Sequence, residues 1–144
     1  MERTSGVKTD RGGRTTGTPA AASALSVLRT LVGVGTWASP ARSWRTFGFG
    51  AADDVDASTA LMGRLFGVRD LALGQAARND DAHVRSAALR AGVLCDSVDV
   101  VASVLALRRG APRATGVLVG GGAALFAALG VLALAAERAS TRPA

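Results

Sequence analysis

The sequence predicts an all-α protein built as a four-helix antiparallel transmembrane bundle. Apolar residues make up 49% of the 144 residues and charged residues only 19%, whereas soluble domains carry about 25% charge. The mean hydropathy is positive, at +0.28. Aromatic residues are scarce, with four Phe, two Trp and no Tyr, although a soluble core normally contains more aromatic bulk. These observations favour helices that face lipid.

Composition also excludes several classes of protein. A disordered chain would leave too much apolar surface in water, and the single cysteine, Cys95, rules out a disulfide scaffold. The net charge of +6 and the pI near 11.4 are compatible with nucleic-acid binding. However, the arginines are spread along the chain and mostly flank apolar runs, which is how membrane proteins set their orientation. We therefore expect no nucleic-acid partner.

The first helix is predicted over residues 20–38, after a disordered cytoplasmic tail at residues 1–19. Arg29 interrupts the apolar run near its middle. Trp37 and Trp44 bracket its far end, with Pro40 as a helix stop between them. A cleavable signal peptide is the competing interpretation, but the preceding tail is long and an arginine in the apolar region is unfavourable.

Three further helices complete the predicted membrane domain, which spans residues 20–137. A loop at residues 39–54 leads to helix two at 55–77, where Asp53, Asp54 and Asp56 provide an acidic start and a helix cap. A turn at residues 79–81 precedes helix three at 82–107, which ends at two arginines and Gly110. Helix four at 114–136 contains no charge and alone meets the strict criterion for a membrane span. Residues 138–144 form a C-terminal tail.

The distribution of basic residues predicts the orientation in the cell membrane. The N-terminal tail, the second turn and the C-terminal tail hold eight Lys and Arg, against five in the other connecting segments. Because basic loops stay in the cytoplasm, we expect a multi-pass protein with both termini cytoplasmic.

Charges in helices two and three predict a polar network within the membrane. Arg64, Arg69 and Asp70 in helix two would each cost about 2.5–3.5 kcal/mol at the bilayer centre, so this helix needs partners from helix three. In a hairpin that turns near Asp80, Asp70 lies level with Arg90 and Arg64 lies level with Asp96. We therefore predict two ion pairs, Asp70–Arg90 and Arg64–Asp96, since intramembrane charges are rarely unpaired.

The remaining members of this network are Arg69, which has no obvious partner, and Asp99, one turn after Asp96. A water-filled functional site and helices that lie at the membrane interface are the alternatives to structural pairs. Stripes of small residues on helices two and three would let these two backbones approach closely. The predicted helix-packing glycines are Gly63, Gly67, Gly74, Gly92, Gly116 and Gly120.

Other candidate sites are weak. Asp96-x-x-Asp99 resembles the start of the acidic metal motif of membrane phosphotransferases, but Val100 follows in place of glycine and no later aspartate exists. Asp80 and Asp81 lack the third aspartate of a prenyl-diphosphate motif. One His and one Cys cannot make a closed zinc site or a nucleophile–His–acid set. We therefore expect no metal, no cofactor and no catalytic residue.

Three segments, LRTLVGVGTWASPARSWRTFG, GRLFGVRDLALG and LRAGVLCDSVDVVASVLALRRG, together resemble a group of small four-helix bacterial integral membrane proteins of unknown function. The positions that carry the resemblance are Arg29, Gly33, Pro40, Gly63, Arg64, Gly67, Arg69, Asp70, Leu73, Gly74, Gly92, Asp96 and Asp99. The chain is more loosely similar, in helix count and size, to DoxX-like four-helix membrane proteins, some of which are linked to quinone or thiol redox systems. A single cysteine offers no redox pair here.

From the sequence we expect a non-enzymatic membrane protein with a structural or partner-binding role. The lipid bilayer is its main expected partner, beside another membrane protein or a second copy of the chain. The alternatives are a small carrier or proton-coupled subunit that uses the intramembrane Asp and Arg residues, a redox-system accessory, and a soluble helical bundle. A water-accessible cavity that reaches the aspartates would favour the carrier.

Overall fold

The computed structural model describes residues 20–51 and 55–140. These residues form five helices, α1 (Ala20–Ala38), α2 (Pro40–Thr46), α3 (Ala57–Ala76), α4 (Ala82–Arg108) and α5 (Arg113–Ser140). The predicted all-α class is confirmed for the described part of the chain, which contains no strand. The predicted N-terminal tail lies outside the described residues.

The predicted helices one to four correspond to α1, α3, α4 and α5, whose ends differ from the predicted ends by zero to four residues. The prediction of an uninterrupted loop at residues 39–54 is wrong, because α2 occupies Pro40–Thr46. Proline suits the first position of a helix, since it lacks the N–H that would be unsatisfied there. The last helix continues to Ser140, four residues beyond its predicted end, and residues 141–144 lie outside the described residues.

Aspartates cap the two central helices. The carboxylate of Asp56 accepts the backbone N–H of Thr59 at 2.7 Å, which begins α3, and this hydrogen bond lowers the pKa of Asp56. Asp81 accepts the N–H groups of His83 and Val84 at the start of α4. The helix cap predicted at Asp56 is confirmed, whereas Asp81, which was predicted as part of a turn, also caps a helix. Asp53 and Asp54 lie outside the described residues.

The long helices pack closely in two antiparallel pairs. Gly33 of α1 contacts Gly67 of α3, and the hydroxyl of Ser26 donates a hydrogen bond to the carbonyl of Gly74 at 2.7 Å. In the second pair, Ser103 of α4 contacts Gly120 of α5. Arg85 and Glu137 form an ion pair at 2.5 Å near the other end of this second pair. The helix α1 also packs on α5, whereas α3 and α4 touch each other less.

The first turns of α5 are irregular. After one α-helical turn at Arg113–Thr115, the backbone forms a π-helical turn at Gly116–Gly120 and then the α-helix Gly121–Ser140. Within it, Gly116 lies against the side chain of Leu107 and Gly120 against Ser103. Such π-turns are frequent at functional sites.

Apolar and polar side chains are distributed in an unusual way. The buried apolar cluster is small and consists of Ala22, Leu25, Ala77, Leu89 and Ala133. Large apolar side chains instead cover the outside of all four long helices; Leu31, Leu94 and Val117, for example, are 65%, 66% and 69% exposed. Among the described residues, two helices, α1 and α5, are long and apolar enough to cross a membrane, by length and composition.

Candidate functional site: a buried charge cluster beside a cavity

Arg29 is the centre of a buried charge cluster. Its side chain projects from the middle of α1 and is 1% exposed. One guanidinium nitrogen lies 2.9 Å from a carboxylate oxygen of Asp70 in α3, and the other contacts the carboxylate of Asp96 in α4. The guanidinium also lies 4.9 Å from the ring centre of Phe126 in α5. One arginine thus connects four helices.

Glycines make room for this cluster. A Cβ atom at Gly92 would lie 3.0 Å from the Arg29 guanidinium, and one at Gly67 would lie 2.7 Å from the carbonyl oxygen of Gly33. The first glycine therefore allows α4 to approach Arg29, and the second allows α3 to approach α1. Gly74 is similarly close to Ser26, and Gly63 packs on Pro40.

This packing corrects the expected role of the small-residue stripes. The stripes were expected to bring helices two and three together, but the glycines of α3 pack against α1 and Pro40, and those of α5 pack against α4. The small side of α3 faces α1 because Asp70, which lies on the same stripe, points to Arg29. Gly33 and Gly130, which also make close contacts, were missing from the predicted set.

A second charged pair, Arg69–Asp99, lies next to the cluster. An Arg69 guanidinium nitrogen is 2.8 Å from an Asp99 carboxylate oxygen and 3.7 Å from Asp70. Both side chains are partly exposed, 30% for Arg69 and 26% for Asp99. The Nε atom of Arg69 is buried and has no hydrogen-bond partner among the described residues. No partner for Arg69 was predicted from the sequence, and in the structure its partner is Asp99.

The predicted pairs Asp70–Arg90 and Arg64–Asp96 are wrong. Both aspartates contact Arg29, while Arg64 and Arg90 are exposed and take part in no ion pair with another described residue. Each arginine lies six positions from the aspartate of its own helix, which is about 120° around the helix axis. When Asp70 and Asp96 point inward, Arg64 and Arg90 must therefore point away.

A signal for the missing partner was present in the sequence. Arg29 interrupts an apolar helix at its middle, and a charge at that depth needs an opposite charge. The predicted ion pairs joined only helices two and three, so Arg29 had no role in them. The arginine that pairs with both aspartates comes instead from the first helix.

A cavity of about 400 Å³ lies beside these charges. Its walls are mostly apolar and come from all five helices, and four charged side chains line it: Arg69, Asp70, Asp96 and Asp99. Met62 and Leu118 also line it and are about half exposed, so the cavity opens to the outside of the molecule. The buried aspartates are therefore reached by an open cavity.

The helix α2 and the segment after it close one end of the cavity. Trp44 and Phe49 stack with ring centres 4.3 Å apart, and both line the cavity together with Phe47. The segment turns at Gly48, whose φ of +75° favours glycine. The hydroxyl of Thr115 in α5 donates a hydrogen bond to the carbonyl of Gly48. This hydrogen bond holds the segment after α2 against α5.

The other residues considered from the sequence do not join the site. Asp80 lies in the exposed turn before α4, and His83 is exposed in the first turn of that helix. Cys95 is a free, half-buried thiol. Within the described ranges, no group of three or more His, Cys, Asp or Glu side chains is arranged to hold a metal ion.

No protein-family model, curated protein or solved structure matches the chain.

Proposed function

We propose that the protein is a multi-pass protein of the cell membrane that binds a small, largely apolar molecule between its helices. In this proposal all four long helices cross the bilayer as an antiparallel bundle, both termini are cytoplasmic, and the protein acts as a small carrier or binding protein without enzymatic activity. The observation that carries the binding function is the open cavity of about 400 Å³ that reaches the buried aspartates.

The placement of polar and apolar groups supports the membrane part of the proposal. Arg29, Asp96 and Ser26 are almost completely buried, whereas large apolar side chains are exposed on every long helix. In water, contiguous apolar surface of this extent would promote association. In lipid it has no such cost, and the charges inside are paired as intramembrane charges require.

The depth of the unpaired arginines also agrees with a membrane position. Arg64 follows Gly63, which packs against Pro40, so it lies near the level at which α1 ends. Arg90 lies towards the opposite end, five residues or about 7.5 Å along α4 from Arg85. Between Arg90 and Arg108, over about 25 Å of helix, the charged side chains are Asp96, which is buried, and Asp99, which pairs with Arg69. Long arginine side chains near the two ends can reach the headgroups.

Two adjacent glycines of α5 provide a test of binding. A Cβ at either Gly121 or Gly122 would meet no atom within 4 Å, but only Gly122 lines the cavity. Gly122→Phe should fill part of the cavity, and Gly121→Phe is the matched control. The probe is N-phenylnaphthylamine, a neutral fluorescent molecule, added to the protein in lipid nanodiscs.

Binding is read as energy transfer from Trp44, which lines the cavity, in a Trp37→Phe background that removes the other tryptophan. We expect Gly122→Phe to weaken probe binding at least about tenfold, and Gly121→Phe to bind like the parent. Equal binding by both variants, or no transfer above empty nanodiscs, would contradict the binding function.

A structural or partner-binding role is the second candidate, and the buried charges favour it, because Arg29 pairs with both of its aspartates. In that case the exposed apolar faces would contact another membrane protein or a second copy of the chain. This role would be supported if substitutions in the exposed apolar faces abolished a defined complex with such a partner, while Gly122→Phe left that complex unchanged.

The orientation is tested separately. A reporter that is active only outside the cytoplasm, fused after Ala144, should give no signal in this topology. A strong signal would contradict the even number of membrane crossings or the direction of the bundle.

A further inference from the structure

The charges around the cavity do not balance. Two arginines, Arg29 and Arg69, face three aspartates, Asp70, Asp96 and Asp99. Among the described residues this group therefore has a net charge of −1 when all its members are ionised. A buried unbalanced charge is unfavourable in a medium of low dielectric constant. A proton or a bound cation would balance this charge.

More carboxylates than guanidinium groups line the cavity. All three aspartates line the cavity, whereas Arg69 lines it and Arg29 does not. Asp99 is the most accessible carboxylate, with 26% of its side chain exposed, against 2% for Asp96 and 10% for Asp70. An occupant of the cavity therefore meets more negative than positive charge, and meets it first at Asp99.

The aromatic residues of the cavity favour an organic cation. Phe66 and Phe126 already lie against the guanidinium groups of Arg69 and Arg29. Trp44, Phe47 and Phe49 line the end of the cavity under α2, where they offer a large apolar contact surface to the body of an organic ligand. A hard metal ion would instead need about six oxygen ligands around a small space, which this wide, mostly apolar cavity does not offer.

We infer that the cavity binds an amphiphilic organic monocation, with its charged head beside Asp99 and Asp96 and its apolar body against Trp44, Phe47 and Phe49. The inference rests on the proposed function, because it requires that the cavity bind a small molecule. Beyond the proposed function, the inference specifies the charge of the bound molecule and its orientation in the cavity.

The test measures how well three competitors of similar shape displace N-phenylnaphthylamine that is bound to the protein in nanodiscs. They are phenylbutyl-trimethylammonium, its neutral tert-butyl isostere in which carbon replaces nitrogen, and phenylbutyl sulfonate. Empty nanodiscs correct for partition into lipid. We expect the cation to displace the fluorophore at a concentration about tenfold lower than the neutral isostere, with the anion weakest.

Variants of Arg69 and Asp99 that change the net charge of the group show whether the preference for a cation is electrostatic. Asp99→Asn brings the net charge of the group to zero, Arg69→Gln brings it to −2, and the double variant restores −1. We expect the affinity for the cation to rise at least about fivefold in Arg69→Gln and to fall by a similar factor in Asp99→Asn, because the attraction follows the net charge of the group. In the double variant the affinity should return to the parent value. Elution at the position of the parent protein in size-exclusion chromatography identifies the variants that remain folded.

The outcomes separate the two proposals. If the fluorophore binds but the neutral isostere or the anion displaces it as well as the cation does, the inferred cation is wrong and the binding function stands. If cation affinity does not follow the net charge of the series in variants that elute like the parent protein, the inference is also wrong. If the fluorophore does not bind the parent protein, both proposals fail.

Discussion

The two charged groups of the molecule use the same residue types in different surroundings. Arg29 is 1% exposed and holds two aspartates from two other helices, whereas Arg69 is 30% exposed and holds Asp99 at the side of a cavity. The first group joins α1, α3 and α4, so removing Arg29 should disturb the packing of all three helices. The second leaves carboxylate and guanidinium surface available to a ligand. Burial, and not residue type, therefore separates the structural group from the candidate binding group.

Removal of each arginine tests this difference most directly. Arg29→Ala strands two buried carboxylates, and breaking a buried pair costs about 3–5 kcal/mol. Arg69→Ala leaves one partly exposed carboxylate, for which we expect about 1 kcal/mol or less. Thermal unfolding in mild detergent, with the folded fraction measured by size-exclusion chromatography, should rank Arg29→Ala far below Arg69→Ala.

Arg64→Ala is the matched control, because Arg64 is exposed and pairs with no described residue. It should unfold like the parent protein. Equal destabilisation by Arg29→Ala and Arg69→Ala would remove the distinction between the two groups.

Neutralisation of the whole Arg29 cluster sharpens the comparison. The triple variant Arg29→Met, Asp70→Asn and Asp96→Asn strands no charge, and neutral replacement of buried ionic groups is often tolerated. We expect it to recover at least about 2 kcal/mol of the stability lost in Arg29→Ala, measured by the same unfolding experiment. If the triple variant is as unstable as Arg29→Ala, the lost packing and hydrogen bonds of Arg29 are responsible, and stranded charge is not.

Two glycines compare the packed side of the molecule with the cavity side. Gly92→Ala places a methyl group 3.0 Å from the Arg29 guanidinium, and we expect overpacking to cost about 1–2 kcal/mol there. Gly122→Ala meets no atom within 4 Å, so the higher helix propensity of alanine should leave stability unchanged or raise it by up to about 1 kcal/mol. Loss of stability in Gly122→Ala, as measured by thermal unfolding, would show that the cavity wall is packed more tightly than the structure indicates.

The secondary structure was largely predictable because its signals are local. The apolar run from residue 20 to Pro40, the cap at Asp56 and the turn before His83 each lie within a few neighbouring residues, and the structure has helix ends at or near all of them. The short helix α2 was not anticipated, since seven residues with few apolar positions give little periodic signal.

The candidate site was predictable in composition but not in its connections. Asp70, Asp96, Asp99 and Arg69 were proposed from the sequence as a polar network, and the structure brings them together at one cavity. Their partners were assigned from depth along a hairpin, which gives the level of a side chain but not the direction in which it points. A six-residue spacing turns a side chain by about 120°, and that rotation excluded Arg64 and Arg90.

By itself, the sequence determined the approximate ends of the four long helices, because hydrogen bonding within helices and capping depend on near neighbours. It also determined that charges must be accommodated among apolar residues. Only the tertiary structure decided that Arg29 serves both aspartates, that the glycines of α3 pack on α1, and that a cavity remains beside Asp99. These features depend on the rotation of each helix about its axis. That rotation follows from the packing of all the helices at once, which no short stretch of sequence contains.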